Sequence, residues 1–268
     1  KVPCDTAFVD RVAARLGEEA WRGELAHRDE HSIEFQALYL RHRLGGRPFT
    51  MVPILCGGFH ALVEAGRTPA EDPTMGALVE AKRRLSIPVM FMVRPRAAGF
   101  CYTASEFAAM ERDAELAVEH GADGLVFGVL TSGGRVDIRR TARLRRLAGG
   151  RDAVFHRAFD VTRDPFRAVD ELVDLGITRI LTSGQQPTVA EGVDLIARLG
   201  DYAGDRIQVM PGGGIRPFEV AQIVRATRCR QIHVAVWTSR ADASTRYRPA
   251  VTFGGALSPP EDRYEITD

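Results

Sequence analysis

What most limits the folds open to this chain is a rhythm in its hydrophobic residues. From residue 87 onward, short apolar runs alternate with amphipathic stretches of helical period. The runs are IPVMFMVRP (87–95), DGLVFGVL (123–130), AVFHRAFD (153–160), TRILTSG (178–184), RIQVMPGGG (206–214) and QIHVAVW (231–237). Each is apolar on both faces, as strands of a parallel sheet covered by helices must be. Their starts recur roughly every 24 to 36 residues, the span of one strand, helix and loop. Thr103 with Glu106 and Thr188 with Glu191 form capping-box pairs at two helix starts, and His120-Gly121 and Leu175-Gly176 mark two helix ends. Six successive β/α units result. A doubly wound sheet shares this local pattern but gathers its ligand loops at one switch point. Here polar signatures follow nearly every strand, which favours an α/β fold of the parallel TIM-type barrel.

The first 73 residues break the rhythm. Asp10 to Leu25 and Ser32 to Arg43 read as helices, Phe49 to Leu55 as one strand, and the polar stretch Glu64 to Pro73, with its glycine and prolines, as a linker. Basic and acidic side chains nearly cancel, 36 against 35, so no global field favours a nucleic acid or an anionic membrane. No apolar run approaches the ~20 residues that span a bilayer. Cys4, Cys56, Cys101 and Cys229 stand far apart without a CxxC pair, which suits a reducing, cytoplasmic setting.

In such a barrel the chemistry lies at the carboxyl ends of strands. Arg94 and Arg96 fall on the same side of the first run by period-two alternation, so they either clamp a carboxylate or phosphate or make a structural ion pair. His156, Arg157 and Asp160 end the third run in apolar surroundings. His156 is a candidate proton carrier; Asp160 either orients it, acts as a base, caps a helix or pairs with Arg157. Ser183 and Gly184 follow the fourth run, and Gly212, Gly213 and Gly214 follow the fifth. A glycine triplet before a helix exposes backbone amides that suit an anion, although tight turns also need glycine. His233 reads as a core histidine. Cys101 is the one cysteine beside the expected site, with Met90, Met92 and Met210 as weaker soft donors for copper. His27, His42 and His60 carry no metal spacing, and His31 reads as a helix start.

The strings IPVMFMVRPRAAGFCYT, GADGLVFGVLTSGG, VFHRAFDVTRDP, ITRILTSGQ, VMPGGGIRP and IHVAVW, in this order, closely resemble the CutC family over residues 74–268. That resemblance implies a (β/α)8-type barrel, cytosolic and often oligomeric, associated with copper tolerance. Family-shared positions match at Arg94, Arg96, His156, Arg157, Asp160, Ser183, Gly184, Gly212, Gly213 and His233. The family's opening strand, helix and second strand, with its copper-linked cysteine, are not found before Thr74, and a closing helix is not found after Tyr264. Residues 1–73 instead resemble an interior piece of a Memo-like protein, most specifically at Glu30-His31-Ser32-Ile33-Glu34. The expected organisation is therefore a Memo-like segment, 1–73, joined to an incomplete CutC-like barrel, 74–268.

Three functions compete: a copper homeostasis protein with a small-anion pocket, an acid/base enzyme acting on a phosphorylated or carboxylated metabolite, and a nonfunctional fusion. Six barrel strands would leave an open edge beside 87–95, to be covered by the amino-terminal segment or hidden in a homo-oligomer.

Overall fold

A computed structural model of the chain describes residues 54–55, 75–234, 237–241, 243–248 and 263–267. Its elements are β1 (Ile54–Leu55), α1 (Met75–Arg84), β2 (Met90–Met92), α2 (Ala104–Glu119), β3 (Gly124–Phe127), α3 (Ile138–Ala148) and β4 (Asp152–Phe155). A 3-10 turn (Arg157–Val161), α4 (Pro165–Asp174), β5 (Arg179–Thr182), α5 (Val189–Ala203), β6 (Gln208–Pro211) and α6 (Val220–Thr227) follow. The last strands are β7 (Trp237–Ala241) and β8 (Arg263–Thr267). The expected helices near 10–25 and 32–43 lie outside the described residues.

β1 to β6 form one sheet in chain order, every neighbouring pair parallel. This order separates the two architectures left open by the sequence, because a doubly wound sheet reverses direction at its switch point and a barrel does not. Burial agrees with it. Phe91, Leu125, Phe127, Ala153, Phe155 and Ile180 share a large core with helix residues such as Met110, Leu144, Leu172 and Ile196. The alternate strand residues Met90, Val126, Val154, Leu181 and Met210 form a second buried cluster that contains no helix residue. A face buried without helices is a sheet curled onto itself. Phe91, Phe127, Phe155 and Phe159 are almost wholly enclosed, and each contributes ~2 kcal/mol by burial.

The helix signals hold locally. Thr103 and Glu106 form a reciprocal capping box: the Glu106 amide donates to Thr103 Oγ1 at 3.3 Å and the Thr103 amide to Glu106 Oε2 at 2.6 Å. Thr188 caps α5, and His120 and Leu175 are the C-caps of α2 and α4.

At the sheet's ends one expectation is met and one changes. The edge beside 87–95 is occupied by β1, with Ile54 opposite Met90 and Leu55 opposite Phe91. Among the described residues of the run 231–237, His233 bridges to Gly212, its amide donating to the Pro211 carbonyl at 2.8 Å, while Trp237–Ala241 pairs with β8 in a separate two-stranded sheet. The bridge depends on glycine, since a Cβ on Gly212 would lie 2.9 Å from that of His233.

Candidate anion site at the barrel mouth

The alternation that turns Val154 toward the barrel interior gives His156 the same side. His156 Nδ1 accepts the Ala158 amide at 3.1 Å, so the ring caps the 3-10 turn and its proton resides on Nε2. Nε2 is buried and has no partner among the described residues. The Phe100 ring packs 5.0 Å from the imidazole, and across the sheet Gly128 leaves it room: a Cβ there would come within 2.5 Å. That close approach is the physical sense of a glycine inside an apolar strand run, a signal readable in VFGVL and not used above. Burial first, and the nearby Arg94 cation second, push the His156 pKa down to about 3. At neutral pH it is an uncharged donor, not an acid.

Asp160 does not touch His156 in any described contact. Its nearly enclosed carboxylate accepts from Arg157 Nε (2.8 Å), Thr182 Oγ1 (2.5 Å), the Ser183 amide (3.0 Å) and hydroxyl (2.9 Å), and the Gln185 amide (3.2 Å). Five donors saturate two oxygens, which leaves no lone pair for a general base or for orienting a histidine. Of the roles left open for Asp160, the pairing with Arg157 is the one observed, and the carboxylate ties the turn after β4 to the loop after β5. Thr182 and Gln185 were missed because their role depends on an acid 22 and 25 positions away.

The expected anion ligands divide on the same accounting. All five N–H groups of Arg96 are directed at neighbours: Glu106 (2.6 Å from Nε), and the carbonyls of Ala97, Gly99 and Cys101. It shapes its own loop, while Arg94 donates to the Ala98 carbonyl at 3.0 Å and stacks on Phe100. The Arg96 bond, followed by the Thr103 amide, lowers the Glu106 pKa to about 2. The Ser183 hydroxyl is shared among Asp160, Arg157 and the Gln186 carbonyl. Gly184 donates to Thr182 Oγ1 at 2.9 Å, and its φ of +73° and a would-be Cβ 2.2 Å from the Gly192 carbonyl oxygen make it a packing glycine against α5. Gly212 donates to the Thr182 carbonyl. The donors of Arg96, Ser183, Gly184 and Gly212 are spent on structure.

Arg157, Gly213 and Gly214 remain. Arg157 uses Nε on Asp160 and Nη2 on Ser183 Oγ (2.5 Å), and its guanidinium lies against Gly213, where a Cβ would be 2.9 Å from Cζ and Nη1. Nη1 and the amides of Gly213 and Gly214 donate to nothing among the described residues. With Arg157 41% exposed, these donors face a place solvent can reach. The triplet does not open an α-helix directly, as the sequence led one to expect. A 3-10 turn, Pro217–Glu219, intervenes before α6, so amides and one guanidinium supply the field and a helix dipole does not. His233, beside Gly212, has its pKa lowered by burial and then by Arg157.

Among the described residues the soft donors do not fit a copper(I) site. Cys101 is exposed, Met90 and Met210 are sealed inside the barrel cluster, and no three His, Cys, Asp or Glu side chains converge among the described residues. A cleft of about 300 Å³ at the amino end of β6 holds Gln208 and Cys229, rimmed by the ion pairs Asp201–Arg228 and Asp205–Arg230. Among the described residues no helix is long and apolar enough to cross a membrane.

Comparison with known proteins agrees with the strand-end strings. The CutC family model matches residues 55–238. A CutC family protein of Treponema denticola is 48% identical over 194 residues, 72% of this chain and 79% of the relative. The human copper homeostasis protein cutC homolog is 39% identical over 215 residues, 80% of this chain and 76% of the relative. A crystal structure of CutC from Streptococcus agalactiae, described as a copper homeostasis protein, superposes with a TM-score of 0.62 at 35% identity, covering 68% of this chain and 87% of that one. A family match across most of the chain, a parallel barrel-type sheet and close relatives covered over more than two thirds of their length lead to one conclusion: the chain belongs to the CutC family.

Proposed function

We propose that this protein serves copper homeostasis, as the names of its mouse and human relatives state for them, through a small-anion pocket at the barrel mouth. One observation carries the pocket: Arg157 Nη1 and the Gly213 and Gly214 amides stand together with no acceptor among the described residues. Unsatisfied donors beside a cation on an accessible surface suit a phosphate or carboxylate. A second reading, an enzyme acting on a small phosphorylated or carboxylated metabolite, uses the same pocket with His156 beside it. Cytoplasmic location and a homo-oligomer are proposed with it, on the dispersed cysteines and the sheet edge. Residues 1–73 we read as a Memo-like piece, on Glu30-His31-Ser32-Ile33-Glu34; the CutC match overlaps that piece from residue 55.

Calorimetric titration with inorganic phosphate tests the pocket. The parent binds, Arg157→Ala binds at least about tenfold more weakly through loss of a charge-assisted contact, and Arg96→Ala binds like the parent. Equal binding by Arg157→Ala and the parent overturns the assignment.

A further inference from the structure

We infer that His156 is a neutral hydrogen-bond donor for the carbonyl oxygen of a small phosphorylated ketone or aldehyde whose phosphate occupies the Arg157, Gly213 and Gly214 pocket. The inference rests on the pocket reading above and adds the second half of the ligand.

Geometry fixes the donor. The Ala158 amide occupies Nδ1, leaving the proton on Nε2. Gly128 on β3 and Phe100 in the loop after β2 hold the ring from two sides. Nε2–H is wholly buried yet meets no acceptor among the described residues. A buried donor left unpaired is costly, and so rare that each one calls for a reason. An ordinary core histidine would have been given an acceptor, as Asp160 was given five donors. Here the neighbouring side chains are Phe100, which has no acceptor oxygen, and Arg94, a cation stacked 4.9 Å from Phe100. Arg94 also opposes a positive imidazole, which keeps His156 in the form that donates without charge.

The residue after His156 is Arg157, so one strand end supplies both the uncharged donor and the cation of the pocket. Such a pair distinguishes the two ends of a ligand: an anion at the guanidinium and glycine amides, an uncharged acceptor at the imidazole. A carbonyl oxygen suits Nε2–H, because a group that needed a full proton would find none available. Phe100 is only partly buried, and its loop includes Ala98 at a φ of +69° and the open Gly99. The ring that packs 5.0 Å from the imidazole is thus carried by a loop and not by a strand.

Matched probes on the full chain test this: inorganic phosphate, dihydroxyacetone phosphate and glycerol 3-phosphate, the last two differing in a carbonyl against a hydroxyl. The parent should bind the ketone about tenfold tighter than the alcohol, the size of one good hydrogen bond. His156→Phe should erase that ratio and keep phosphate affinity, whereas Phe100→Ala should keep the ratio. Should His156→Phe fail to fold, nitrogen-15 NMR of the parent replaces it: the His156 Nε2–H resonance moves with the ketone and stays in place with inorganic phosphate. Binding of phosphate with equal affinity for both esters overturns the inference and leaves the pocket standing. If none of the three probes binds, the pocket falls and the inference with it.

Discussion

After β2, Arg96 lies between Glu106 and three carbonyls of its own loop; after β4, Arg157 lies between Asp160 and Ser183 with Nη1 left over. Both arginines end apolar runs, both meet a carboxylate, and in the sequence they look alike. The difference lies in what the carboxylate does besides. Glu106 closes a helix cap within 10 residues of Arg96, and every N–H of Arg96 is directed at Glu106 or at a carbonyl of that loop. Asp160 reaches 22 to 25 residues ahead and joins two strand ends, so Arg157 is needed on one side only. A guanidinium is available to a ligand when its structural partners are fewer than its five donors.

Removing the two carboxylates should separate the regions most widely. Asp160→Ala leaves buried donors of Thr182, Ser183 and Gln185 unpaired and should cost about 3 kcal/mol of folding stability. Glu106→Gln, at a more exposed position, should cost clearly less and leave phosphate affinity unchanged. Denaturant melts of both variants measure this. Equal losses would mean that the loop after β2 is as much a part of the frame as Asp160.

Acid should sharpen the same contrast, through the histidine on the β4 side. The folded pKa of His156, about 3, lies below its ordinary 6.5, so as pH falls the unfolded chain takes up this proton first. The stability at stake is fully present above pH 6.5, declines by ~2 kcal/mol by pH 5, and stops changing from this source below about 3. His156→Phe should flatten that part of the stability profile, read from denaturant midpoints at pH 7 and pH 5. An unchanged slope would show that the buried imidazole is protonated as easily as a free one.

The barrel was legible in the sequence because its strands alternate by twos between two buried surfaces, and because sequential β/α units leave few topologies. The capping residues Thr103 and Thr188 were legible for the same local reason. The site was only partly so. Gly213 and Gly214 keep amides without an acceptor among the described residues, but Gly184 and Gly212 look the same in sequence and serve packing and the ladder. Spacing does not separate them, because the difference is the Gly192 carbonyl in one case and the Thr182 carbonyl in the other. For Asp160 the pairing with Arg157 was legible and the rest was not: four of its five donors come from Thr182, Ser183 and Gln185, in and just after the next strand. Phe100 over His156 joins two loops that nothing in the local pattern connects.

The smallest effect should come from Cys101, and it decides whether the loop after β2 has a ligand role of its own. Its thiol is exposed, Met90 and Met210 are enclosed in the barrel cluster, and no three His, Cys, Asp or Glu side chains gather among the described residues. Copper(I) binds tightly when two or more thiolates or thioethers converge, and one exposed thiol offers a single bond against water and cellular chelators. Cys101→Ser should therefore leave folding stability within about 0.5 kcal/mol of the parent, as for a surface substitution. It should also leave copper(I) affinity, measured by competition with a chelator, within about twofold. Tight stoichiometric copper(I) binding that disappears in Cys101→Ser would reverse the comparison. The loop after β2 would then be the ligand-bearing one, with its second donor supplied from outside the described residues or from another copy of the chain.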